Sequence, residues 1–128
     1  MSLASPTRAA PRTAQDARTG LVEALAAAGL AAGPVAPDSA TEGAAWPQWT
    51  ATEYNGHLCS PSQFTFSVYV VLGAADPRAT VTQADALEAR VAPELFRVGI
   101  VQTTEPVLIT FGDKTTMPGI RFRVVTRP

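Results

Sequence analysis

From residue 64 to 72 the chain alternates strictly: Phe64, Phe66, Val68, Val70 and Leu72 take one side of an extended segment, and Thr65, Ser67 and Tyr69 take the other. A period of two predicts a strand with one buried face. Gly73 ends it, and Asp76 followed by Pro77 opens a helix, since the aspartate accepts amide protons of the first turn and Pro77 stands where a missing N–H is no loss. Val81, Ala84, Leu87 and Val91 then recur at three- to four-residue steps and predict a buried stripe, with Asp85, Glu88 and Arg90 outward. Pro93 or the residues just beyond it should end this helix, which returns the chain across the sheet. Another amphipathic helix lies upstream. Thr13, with Asp16 three residues on, supplies its N-cap; Ala14, Ala17, Leu21, Leu25 and Ala28 form a narrow Ala-rich stripe, and Gly29 closes it.

Other segments carry weaker patterns. Pro34, Pro37 and Pro47 deny a regular ladder over 33–47, so at most a short edge strand fits there. A strand is predicted over 46–53, ending at the Asn55-Gly56 turn signal and pairing with 64–72. Three short strands follow the second helix, over 98–102, 107–111 and 120–126, joined at Glu105-Pro106 and across 112–119 as a meander. In the last of them Ile120, Phe122 and Val124 face one way while Arg121, Arg123 and Val125 face the other. Together these elements predict an α+β fold: a disordered arm over 1–12, then a single domain over 13–128. Its central sheet, mostly antiparallel or mixed with about four to six strands, is packed by two helices.

Composition narrows the classes of function. Hydrophobic residues make up 46% and charged residues 16%, a lean surface that points to contacts with other subunits. Ten basic residues nearly cancel eleven acidic ones, so no whole-chain field draws in nucleic acid or an anionic membrane. The sum hides one asymmetry: from 114 onward Lys114, Arg121, Arg123 and Arg127 stand with no acidic residue among them. A single cysteine, Cys59, allows no internal disulfide and suits a reduced cytoplasm. Residues 1–12 lack the apolar core of a secretory signal, and Glu23, Gly29, Gly33 and Pro34 interrupt the apolar stretch after Leu21, so no membrane segment is predicted.

Reactive residues are sparse. His57 and Cys59 sit two apart, but with Glu53 as the nearby carboxylate they fall short of a zinc ligand set, and no nucleophile motif surrounds the thiol. Asp85 and Glu88 share a helix face that reads as solvated surface. No phosphate loop or dinucleotide fingerprint is present, so no metal, cofactor or catalytic residue is predicted. The remaining candidates are contact residues. Arg121, Arg123, Arg127 and Lys114 are candidates for an intersubunit or channel-facing surface, for passing nucleic acid, or for plain solubilising charge. Trp46 and Trp49 either pack against the strand at 64–72 or form an aromatic patch facing a partner.

The order of the elements adds a resemblance. LVEALAAAGL in the first helix, AAWPQW after a Pro-rich crossover, FTFSVYVVLG, ADPRATVTQADALEARV and the closing PGIRFRVVTRP resemble the tail terminator family of long-tailed bacteriophages, in particular the actinobacterial-phage type. The resemblance spans nearly all of the chain beyond Thr13 and rests on order, size and texture rather than on an invariant motif. It implies a non-enzymatic virion protein of the phage neck, made in the host cytoplasm. Such a protein forms a homo-oligomeric ring, hexameric in that family, that ends growth of the tail tube, contacts the tail tube protein and docks to the head–tail connector. DNA would then pass close by in the channel. Another neck or head-completion protein, and a small ligand-binding α+β module with the Trp46 and Trp49 region lining its pocket, are the alternatives.

Overall fold

The computed structural model describes residues 13–39, 41–54, 61–73 and 76–127. The arm at 1–12, the Asn55-Gly56 turn and the His57/Cys59 pair lie outside the described residues. The fold is the α+β class that the pattern implies: α1 (Ala14–Ala27), β1 (Ala31–Ala32), β2 (Ala44–Tyr54), β3 (Pro61–Val71), α2 (Pro77–Phe96), β4 (Ile100–Thr110) and β5 (Thr116–Thr126). The strands form one five-stranded mixed sheet in the order β1-β2-β3-β5-β4. β1 runs parallel to β2 and every other neighbour pair is antiparallel. Among the described residues no helix is long and apolar enough to cross a membrane.

Local chemistry sets the helix ends. Thr13 and Asp16 form a reciprocal capping box, Oγ1 accepting from the Asp16 amide at 3.1 Å and the Asp16 carboxylate accepting from the Thr13 amide at 3.2 Å. Gly29 follows the helix at φ +88°, a conformation that an L side chain adopts only at a cost. Asp76 caps α2 by accepting from the Ala79 amide at 3.0 Å.

Both helices lie on one face of the sheet. There Phe64, Phe66, Val68 and Val70 of β3 and Leu72 just beyond it meet Ile120, Phe122 and Val124 of β5, roofed by Leu21 and Leu25 of α1 and Leu87, Val91 and Leu95 of α2. The alternation of β3 is realised without exception. A smaller cluster occupies one end of the opposite face, where Trp46 stacks on Tyr69 at 5.5 Å and meets Phe111 edge-on at 6.0 Å, with Val71 and Ile109 beneath. A polar clasp ties α2 to the segments just after β3 and just before β2: the Gly73 amide donates to Gln83 Oε1 at 2.9 Å, and Gln83 Nε2 donates to Glu42 at 3.1 Å.

The structure corrects several expectations, and prolines account for most of them. The separate strands at 98–102 and 107–111 are one strand, β4, which runs through Pro106. The Phe111 amide donates to Thr115 across the β4–β5 turn, so from Thr103 onward the odd-numbered positions of β4 face β5 and Pro106 directs its nitrogen to the free edge, where no ladder bond is lost. Pro47 likewise lies inside β2, which starts at Ala44. The Ala45 carbonyl accepts from Gly33 on the β1 side, so Pro47, two residues on, also turns its nitrogen outward. The chain does not meander at its end, because β5 inserts between β3 and β4, leaving those two parallel and joined by α2. α2 ends just beyond Pro93, at Phe96, as the pattern predicts, but its buried stripe is Leu87, Val91 and Leu95 with Ala84 partly covered. Val81 stands outside that stripe, 61% exposed.

Two stability effects follow from this core. Phe66→Ala should lower unfolding free energy by about 3–5 kcal/mol, because Phe66 is fully buried in the core cluster that the sheet forms with the helices. Thr126 Oγ1 is buried with no hydrogen-bond partner among the described residues, so Thr126→Val should raise it by about 1 kcal/mol. Urea denaturation of both variants against the parent measures each; a destabilised Thr126→Val would mean that the hydroxyl is satisfied after all.

Candidate functional site

The basic residues of β5 stand on the sheet face opposite the helices. Arg121 reaches across to β4 and donates to Glu105 Oε2 at 2.9 Å. Hydrogen bonding to Tyr69, and then to Glu105, holds its guanidinium pKa above the usual value, so it stays charged at every accessible pH. Arg123, beside Ser67 and Thr103 in register, is exposed and has no ion-pair partner among the described residues. Arg127 and Lys114 lie beyond opposite ends of β5 and do not join this pair. Lys114 instead occupies the β4–β5 turn at φ +68°, a left-handed conformation costly for a residue with a Cβ.

The two tryptophans separate. Trp46 is 5% exposed, spent on the cluster with Tyr69 and Phe111. Trp49 lies on the helix-side face of β2 opposite Phe66 and is 50% exposed, its indole N–H donating to Thr52 Oγ1 at 2.9 Å. A bulge at Thr50 follows, where the Thr50 hydroxyl donates to the Thr65 carbonyl at 2.9 Å. Trp46 is therefore core, and Trp49 is surface.

Among the described residues the large apolar side chains left exposed are Val35, Trp49, Tyr54, Val81, Phe96, Ile100 and Leu108. They divide between two opposite margins of the sheet. Val35, Trp49 and Tyr54 belong to the β1–β2 margin. Val81 and Phe96 of α2, with Ile100 and Leu108 of β4, belong to the other. Each margin holds a groove open to solvent. One of about 440 Å³ runs between α1, the crossover after β1 and β2, lined by Gln15, Arg18, Val35, Pro47 and Trp49. The other, of about 350 Å³ and almost wholly apolar, lies between α2 and β4, lined by Val81, Ala84, Pro106, Leu108 and Ile120.

Neither margin invites strand addition. β2 beyond Ala45 and all of β4 have free edges, yet each carries a proline whose nitrogen points outward, and each is bulged, at Thr50 and between Val101 and Thr103. Such edges resist ladder pairing. Contact at either margin therefore falls to side chains.

Val81 and Leu108 were not among the residues singled out from the sequence, Val81 having been assigned to the core. Only a partial signal exists for Val81: helical periodicity places it at the edge of the face centred on Leu87, Val91 and Leu95, where exposure is not decided by the pattern. Leu108 had none, since its exposure depends on where α2 lies. Asp85 and Glu88 are exposed on α2, and no group of three or more His, Cys, Asp or Glu side chains among the described residues is placed to hold a metal ion.

The geometry defines a small α+β protein with two unlike apolar margins and one open sheet face. No protein-family model matches the chain, and no curated protein matches it.

The tryptophans provide a check on this division. Trp46→Ala should lower unfolding free energy by about 3–5 kcal/mol and Trp49→Ala by about 1 kcal/mol or less. Similar losses for both in urea denaturation would contradict the assignment of one to the core and the other to the surface.

Proposed function

We propose that this chain is a structural virion protein that works as a phage tail terminator, assembling into a ring at the head-proximal end of the tail tube, ending its polymerisation and docking to the head–tail connector. The observation that carries the reading is the division of exposed apolar side chains between opposite margins of one sheet. Two different patches on opposite sides of a subunit pair head to tail, and head-to-tail contacts close into rings when the rotation permits. A two-fold dimer would need only one such patch.

The resemblance in element order supports the specific assignment, and the α+β fold with its single mixed sheet is compatible with it. In this reading the protein is not an enzyme. The open sheet face turns toward the channel or a neighbouring subunit, with Arg123 as its uncommitted charge and Arg121 engaged by Glu105 and Tyr69. Contact with DNA is non-specific proximity.

The groove beside Trp49 gives the ligand-binding alternative its footing, since it is the size of a small-molecule site and combines an indole with polar side chains. Native mass spectrometry separates the two readings. A ring of several copies, capping tail tubes of defined length by electron microscopy when made with the tube protein, is the expected result. A monomer that leaves tube length unchanged overturns it, and a monomer that retains a small molecule supports the alternative. Within a ring, Arg123→Glu should leave subunit stability unchanged and reduce infectivity; unchanged infectivity would remove the channel-facing role of that residue.

A further inference from the structure

We infer that neighbouring copies join side by side through side chains, the Trp49 margin of one copy seating in the α2–β4 groove of the next. This rests on the ring reading and names the surfaces that build the ring. Three observations choose a second copy as the occupant of the groove.

The first is apolar fit. Val81 and Leu108, 61% and 77% exposed, flank a groove floored by Ala84, Pro106 and Ile120, and the opposite margin of the same chain presents Trp49 on the same helix-side face of the sheet. A half-exposed tryptophan on one copy and an unfilled apolar groove on the next supply the kind of anchor and pocket that dominate protein interfaces. The second is charge. Asp85 and Glu88 follow Val81 by four and seven residues on α2, so they lie on the same side of the helix as the groove wall, while Arg18 of α1 lines the groove that holds Trp49. Among the described residues none of the three has an ion-pair partner. Seating Trp49 against Val81 and Leu108 brings the flank of α1 to the flank of α2, and with it Arg18 to Asp85 and Glu88. The third is exclusion of the competing mode: outward-facing nitrogens at Pro47 and Pro106 and the bulges beside them blunt both free edges, so a continuous intersubunit ladder is disfavoured and the helix-side grooves remain as the contact surfaces.

Paired variants test this, each checked for parent-like circular dichroism and thermal unfolding. Trp49→Arg and Leu108→Arg, each alone, should abolish ring formation in native mass spectrometry and sedimentation. Mixed in equal amounts they should form a one-to-one dimer and nothing larger, because each chain retains the margin that the other has lost. Arg18→Glu should weaken self-association on the order of tenfold or more, and adding Asp85→Arg and Glu88→Arg to the same chain should restore it. Rings that persist in both single variants would overturn this interface while leaving the ring reading intact. Failure of the charge exchange to rescue would overturn the α1–α2 contact even if an arginine variant proved unable to fold. A parent protein that stays monomeric at high concentration and with tail tube present would overturn both the interface and the ring.

Discussion

Two helices cannot roof five strands. Side by side, at about 10 Å each, they span about 20 Å, somewhat short of the floor about 24 Å wide that five strands spaced about 4.8 Å apart make. The helices settle over the centre, where β3 and β5 present their phenylalanines and valines, and that is where burial is complete. One margin of the floor is left with Trp49 half uncovered, the other with Leu108 and the side of α2 bare. The exposed apolar margins are thus the remainder of a packing problem.

The opposite face of the sheet has no helical roof at all, and its side chains manage the exposure in two ways. At one end Trp46, Tyr69, Phe111 and Ile109 shelter one another as a small aromatic cluster. Across the middle, polar and charged side chains tolerate water, with Arg121 braced between Tyr69 and Glu105 beside Arg123, which has no ion-pair partner among the described residues. An exposed ion pair such as Arg121–Glu105 adds little stability, about 0–1 kcal/mol, so its consequence is positional: it fixes one cation and leaves its neighbour available.

Proline has an unexpected place in this fold. In the linear pattern Pro47 and Pro106 look like breaks, yet each sits inside a strand with its nitrogen on the outer edge, where a missing donor costs no ladder bond. Strand edges that would otherwise template further sheet are blunted, while the side chains above them stay free to make selective contacts. In the proposed ring that combination suits a subunit with a limited number of neighbours, for which indefinite edge-to-edge growth would be the failure.

Short-range chemistry made much of the fold legible in the linear chain. The capping box at Thr13 and Asp16, the Asp76-Pro77 helix start and the five-residue apolar face from Phe64 to Leu72 each depend on residues a few positions apart, so a local pattern suffices to state them. The α+β class and the pointing of Arg121 and Arg123 away from the core follow from the same periodicities. Other features hinge on partners distant in the chain. The insertion of β5 between β3 and β4, the tolerance of Pro106 inside a strand, and the contrasting fates of Trp46 and Trp49 were settled only when the strands took their neighbours. The grooves at the margins belong to this second group: a groove is the space between elements, and no single segment contains the information about where its walls will stand.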